Sequence, residues 1–372
     1  MRGRPELFTS YASDQAALNT PTKRTATGIF FVLLVFAPAV LSTELESLVT
    51  WAFVAAIGSI GLNIVTGYAG QVSLGHAFFI GLGAYTAAVF GGEGSGNLIG
   101  FGLDMWIWLP LAGLVPAIVG LLVGPVATRL RGLYLAIVTL GLVFIGEHFF
   151  RELRDVTGGP GVGRRAAPLE IGGFRVDRTG SVFGIELDGR IKLYLFCLLL
   201  LTVMAVLAKN LVRSKVGRAF AAVRDRDIAA EIMGVPLTRY KVIAFAISSF
   251  YAGITGALLA VTAQAGFIEP GSYNLILSVQ YLAMILIGGI ATISGSLLGA
   301  AFVILLPRLV QELPRFIPFI EGQSTGGFLT TFQVQGILFG VLIVVFLIAE
   351  PRGVYGLWVR ARNYLKAWPF SY

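Results

Sequence analysis

Apolar residues in this chain run in long unbroken blocks, and polar residues gather between them. Ten blocks stand out: Thr25–Leu41, Leu48–Thr66, Val72–Phe90, Met105–Thr128, Gly132–Phe150, Ile191–Ala208, Val242–Ala263, Leu275–Ile293, Leu297–Val310 and Val334–Ala349. Most approach the ~20 residues that cross a bilayer as a helix, and the first and ninth are short. Only helices and closed barrels satisfy their backbone in lipid, and runs this continuous predict helices. The expected fold class is all-α, a polytopic transmembrane bundle of about ten helices.

Composition agrees. The 372 residues are 56% hydrophobic and 13% charged, with a mean hydropathy of +0.81. A soluble domain would carry far more polar surface. The 47 glycines suit helices that pack through small residues, because lipid supplies no hydrophobic drive between them. The single cysteine, Cys197, lies inside an apolar block, so no internal disulfide forms.

The net charge of +8 does not mark a nucleic-acid binder, because its distribution follows topology. Residues 1–27, 129–131, 209–241 and 351–372 hold 4, 2, 8 and 4 Lys/Arg, 18 of the 28. Residues 42–46, 91–104, 264–274 and 311–333 hold only Arg315, with Glu44, Glu46, Glu93, Asp104, Glu269, Glu312 and Glu321 among them. The positive-inside rule puts the first set in the cytoplasm with both termini. Residues 151–190 fit less well: they fall outside yet carry seven Arg beside six acidic residues, and read as a small folded excursion. The division is then a cytoplasmic tail (1–27), a transmembrane domain (28–350) and a second cytoplasmic tail (351–372). The block Gly28–Leu41 could serve as a signal-peptide core, but opening a polytopic chain it reads as a first span.

Two polar interruptions carry candidate chemistry. Gly67-Tyr-Ala-Gly-Gln-Val-Ser-Leu-Gly-His76 breaks the second and third blocks with Gly67, Gly70, Gln71, Ser73, Gly75 and His76. Irregular backbone at membrane depth survives where it is buried or lines a wet cavity, so this stretch reads as a translocation path or gate; a tight turn is the plainer alternative. Ile287–Gly299 is a second Gly/Ser break, read as a flexible connection. Beyond it, Leu298–Ile304 echoes Leu74–Ile80, as an internal repeat would.

The basic loop Lys209–Lys241 is expected to hold a short amphipathic helix. Asp225 or Asp227 caps it, Gly234 and Pro236 stop it, and Phe220, Val223, Ile228 and Ile232 share a face. Such a helix lies on lipid headgroups or docks in a partner's groove. Glu147 and His148 suggest a metal, but the chain has two histidines and no H-E-x-x-H, so an interfacial position is expected.

Within that loop, Ala229-Ala230-x-x-x-Gly234 resembles the cytoplasmic loop by which bacterial ABC importer permeases grip their ATPase, although Ile228 stands where that loop usually has Glu and its downstream proline signature is missing. The longer string Gly217–Val235 is similar to the permeases of branched-chain amino acid ABC importers, as are Gly67–His76, Leu130–Leu140 and Thr157–Gly161. The resemblance spans most of residues 45–350 and leaves 1–27 and much of 162–190 without a clear match. It implies a multi-pass permease of the bacterial cytoplasmic membrane. The expected partners are a second permease, two cytoplasmic ATPase subunits and an extracytoplasmic substrate-binding protein. Arg224, Arg226, Asp227, Ala229, Ala230 and Gly234 would form its ATPase contact. No cofactor is expected on this chain: no G-x-x-x-x-G-K-[ST] loop occurs, and ATP would be bound by the partner subunits.

Two other functions compete. An ion-coupled secondary transporter usually places Asp or Glu inside the membrane, whereas the acidic residues here fall in loops or at block ends. An intramembrane hydrolase would need Ser73 or Ser294 activated by His76, and only proximity in sequence suggests it.

Overall fold

A computed structural model describes residues 21–130, 132–182, 185–264, 266–312, 336–338, 340, 341, 344, 345, 348, 350 and 353–367. The main helices are α1 (Pro21–Phe36), α2 (Thr43–Asn63), α3 (His76–Gly91), α4 (Met105–Arg129), α5 (Leu133–Glu152), α6 (Arg154–Thr157), α7 (Gly189–Arg213), α8 (Lys215–Asp225), α9 (Asp227–Ile232), α10 (Leu237–Thr262), α11 (Leu275–Gly288), α12 (Ile293–Glu312) and α13 (Gly353–Ala367). Among the described residues six helices are long and apolar enough to cross a membrane, and three shorter apolar helices start at Arg24, His76 and Ile293. Half of the tenth expected block, Val334–Ala349, lies outside the described residues.

Helix starts follow local chemistry. Asp188 accepts a hydrogen bond from the Arg190 amide at the head of α7, Ser214 from Val216 at α8, and Asn274 from Leu277 at α11. Glu44 and Glu46 occupy the first turn of α2, where the helix dipole favours negative charge.

Helices α2 and α10 form the centre, with most of their apolar length buried, while α4, α5 and α7 turn most of theirs outward. Leu114, Leu122, Phe144 and Leu199 are among the exposed apolar side chains, as lipid or a membrane-embedded partner requires. Small residues let the central helices touch backbone to backbone: a Cβ on Gly83 of α3 would collide with Gly253 of α10.

The connections sort into two ends. At one, Arg164–Arg165 pairs antiparallel with Phe267–Ile268, and the Arg164 guanidinium donates to the carbonyls of Val156, Ala88 and Ile99. Among the described residues, this end gathers the loops 42–46, 91–104 and 264–274 expected outside; most of 311–333 lies outside the described residues. The described residues of 151–190 are folded at this end with short antiparallel pairs, and Ala167, Leu169 and Val176 bury against Trp108 and Met105 of α4. The seven arginines that strained the topology are therefore explained in part by structure: Arg164 is buried and Arg175 is paired with Asp177 at 2.8 Å. Burial draws the Arg164 guanidinium below its ordinary pKa. Arg164→Met takes the guanidinium from three carbonyls, of which Ala88 keeps a second donor, the Gly92 N–H. It is expected to cost about 2–3 kcal/mol and to expose residues 153–188 to protease severalfold faster, read by limited proteolysis of the purified protein.

The other end gathers α8, α9, α13 and both sequence breaks. Here one expectation is corrected. The 209–241 loop does not hold a single amphipathic helix: α8 and α9 are separate, divided at Arg226, whose φ of −156° and ψ of 97° are extended. Phe220 and Val223 are buried under α8, whereas Ile228 and Ile232 of α9 are exposed, so the four do not share a face. The stop is as expected. Gly234 takes φ of +83°, and Val235 N–H returns to the Ala230 carbonyl at 2.9 Å.

Candidate functional site

The third apolar block does not begin a helix at Val72. Helix α2 runs through Asn63 into a wider π turn, Ile64–Tyr68; residues 69–75 are irregular, and α3 starts at His76. At 16 residues, α3 is roughly 24 Å long, so the irregular stretch dips into the depth of the bundle.

Its backbone is satisfied by neighbouring side chains. Leu74 N–H donates to Thr139 Oγ1 of α5 at 2.9 Å, and Ala77 N–H to Ser278 Oγ of α11 at 2.9 Å. Gln71 N–H donates to the Val65 carbonyl at 2.9 Å, and Gly75 N–H to Ser73 Oγ at 3.3 Å. This bonding is what permits open backbone away from water. Gln71, Ser73 and His76 are all buried; both Gln71 amide atoms and His76 Nε2 lack a partner among the described residues. The His76 ring meets Tyr281 edge-on at 5.0 Å.

The second break is no flexible connection. Helix α11 ends at Gly288, α12 starts at Ile293, and Asn63 of α2 holds the link between them. Asn63 Nδ2 donates to the Thr292 carbonyl at 3.0 Å and to Ser296 Oγ at 2.7 Å, while its Oδ1 accepts from Ala291 N–H at 2.8 Å. Ala291 sits at φ +58°, a conformation costly for a residue with a Cβ, and the clasp keeps it there. Gly67 lies against the same link: a Cβ there would overlap Asn63 Oδ1 and stand 2.6 Å from Ala291 N. Sequence reading missed Asn63, although a lone amide four residues before Gly67 in an apolar block was a visible signal.

Two cytoplasmic-type elements seat on this pair of breaks. Arg224, at the end of α8, donates from Nη1 to the Gly67 carbonyl at 3.3 Å and pairs with Asp225 at 2.9 Å. Gly70, at φ +69°, presses on it so closely that a Cβ would stand 3.0 Å from Arg224 Cα. The start of α13 fits under the second break, where a Cβ on Gly353 would stand 2.5 Å from the Ile287 carbonyl. The echo of Leu74–Ile80 in Leu298–Ile304 has no structural counterpart: His76 is the first residue of α3, and its match Ala300 is the eighth of α12.

The expected site residues thus fall in two groups that touch. Gly70, Gln71, Ser73 and Gly75 lie in one irregular stretch, bracketed by Gly67 in the π turn and His76 at the start of α3. Arg224 reaches it from the second group, while Arg226, Asp227, Ala229, Ala230 and Gly234 continue around α9. Ala229 is exposed and Ala230 buried, so the small pair does not present a single surface. What α9 does present is apolar: Ile228, Ile232 and Met233 are 61%, 81% and 85% exposed. Glu147 pairs with Arg151, and the described residues hold no cluster of metal-ligating side chains.

Residues 44–347 match the family model described as "Branched-chain amino acid transport system / permease component". The chain is 34% identical over 305 residues to the high-affinity branched-chain amino acid transport system permease protein LivM of Salmonella typhimurium, covering 78% of this chain and 69% of the relative. It is 33% identical over 304 residues to LivM of Escherichia coli, with the same coverage. A more distant likeness, 24% over 275 residues, links it to a probable branched-chain amino acid transport permease protein LivH of Methanocaldococcus jannaschii. No solved structure matches.

Proposed function

The chain belongs to the branched-chain amino acid transport permease family, and on that premise we propose that its two touching groups of residues couple ATP hydrolysis to a membrane gate. The chain is a permease subunit of an ABC importer in the cytoplasmic membrane. Its substrate is a branched-chain amino acid. It works beside a second permease, is driven by two ATPase subunits, and receives substrate from an extracytoplasmic binding protein. It binds no ATP itself and is not an enzyme.

The observation that carries the coupling is the exposed apolar trio on α9, one short turn from a helix that touches the gate. Exposed Ile and Met at the edge of a basic loop have no reason to face water, and they suit a cleft on a partner. Arg226 and Asp227 lie beside them and set charge at the rim, where it orients docking. Movement of α9 carries α8 with it, and Arg224 conveys that movement to Gly67 and the Asn63 clasp. Gly67, Gly70, Gln71, Ser73, Gly75 and His76 then line or gate the path, with the unpartnered Gln71 amide and His76 Nε2 available to water or substrate when the breaks part.

Affinity purification of this permease from its native membrane tests the assignment. Two ATPase subunits and a second permease should be recovered with it, and leucine uptake in proteoliposomes should require ATP and the binding protein. Uptake that follows a sodium or proton gradient without ATP would replace this reading with a secondary transporter.

A further inference from the structure

A cavity of about 160 Å³ lies between α2, the end of α10, α11 and α12, in the half of the bundle away from α8 and α9. Trp51, Met284 and other apolar side chains form most of its wall; Gln264, Ser272, Gln280 and Tyr281 supply its polar atoms. Building on the importer reading, we propose that this cavity is a transit subsite within this single chain for a zwitterionic amino acid with a compact apolar side chain.

Size limits the occupant. A cavity of ~150 Å³ holds one benzene, so the space takes a four-carbon side chain with the zwitterionic end at its open mouth. Chemistry selects it further. Gln280 is the one amide in helix α11 and makes no hydrogen bond to the described residues, while nearby Ser278 is consumed in holding the Ala77 amide. A solitary amide facing lipid is costly, and facing a ligand it is useful. Gln264 uses its Oε1 to accept from Tyr273 at 3.2 Å, which leaves its NH₂ to donate to a carboxylate. Gln280 can accept from an ammonium or donate to a carboxylate. Neutral amides bind both ends of a zwitterion without the deep trap that a fixed opposite charge would set, as a site on a path requires.

Position completes the case. Tyr281 closes the cavity floor, and its ring leans on His76, the first residue after the irregular stretch. A Cβ on Gly58 would stand 2.6 Å from Tyr281 Cε1, so the ring has no room to drop toward α2. The order from the outer end inward is cavity, Tyr281, His76, Asn63 clasp and Arg224. An amino acid resting in the cavity therefore waits above the element that α8 moves.

The test uses the complete importer in nanodiscs without its binding protein, with tritiated leucine at roughly millimolar concentration, the range of weak transit sites. Saturable leucine binding is expected to wild type. Gln280→Leu keeps the volume and should weaken that binding about tenfold. Met284→Trp should fill the space and remove it. Ile304→Ala enlarges the wall and should shift the phenylalanine-to-leucine binding ratio about tenfold toward phenylalanine, a change that loosened packing alone does not produce. ATPase recovery should stay at the wild-type level in Gln280→Leu, which separates this test from one of the importer assignment. No saturable binding to wild type, or binding undiminished by both Gln280→Leu and Met284→Trp, overturns the proposal.

Discussion

Asn63→Leu is expected to stop transport while leaving the bundle assembled. The substitution keeps the branched shape and the number of heavy atoms, so it opens no cavity. It removes the side-chain bonds to Ala291 N–H, the Thr292 carbonyl and Ser296 Oγ, all at membrane depth. Ala291 N–H loses its acceptor, at roughly 1–3 kcal/mol, and with it what holds its positive φ, while the Thr292 carbonyl keeps the Ser296 amide and hydroxyl. The α11–α12 link should then relax toward another conformation and separate from Gly67. Uptake in proteoliposomes should fall by well over tenfold, with a lower melting midpoint for the purified importer. Ser296→Ala removes one of these contacts and should be milder on both measures. Wild-type uptake by Asn63→Leu would mean that the clasp is packing alone and that the gate lies elsewhere.

The double variant Ile232→Glu with Met233→Glu is expected to lose the ATPase subunits and keep everything else. Both side chains project from α9 into solvent, so the permease should insert, fold and pair normally. Seating two carboxylates in an apolar cleft costs several kcal/mol, and each 1.4 kcal/mol is tenfold in affinity. ATPase recovery on the permease should drop below a tenth of wild type at equal membrane abundance. Ala230→Trp should fail differently. Ala230 is buried within this chain, so the indole would displace α9 and lower the stability of the permease itself, by about 1–3 kcal/mol. Full ATPase recovery by the double variant would make α9 a lipid-facing helix and withdraw the coupling proposal.

The contrast between Ala229 and Ala230 marks how far sequence could reach. Their spacing from Gly234 was legible, and so was the stop at Gly234, because a helix ending on glycine at positive φ is a local property. Which alanine faces the partner was not legible. It depends on the extended residue Arg226, which turns α9 away from α8. For the same reason Phe220 and Val223 went inward and Ile228 and Ile232 outward, although a single helix would have aligned them.

The sequence by itself determined that this chain is a membrane-spanning helical bundle, and where most of its helices run. Lipid imposes that result locally: a block of some 20 apolar residues must bond its own backbone, whatever surrounds it. The charges between blocks assigned the ends, and the short strings at Gly67–His76 and Gly217–Val235 pointed to the family. Tertiary structure alone decided how the two breaks work together. Asn63 and Ala291 are 228 residues apart, and no periodicity or composition predicts a bond between them. Arg224 meets Gly67 across 157 residues on the same terms. Such pairings depend on how closely glycine-faced helices approach, and that distance is fixed only when the whole bundle packs.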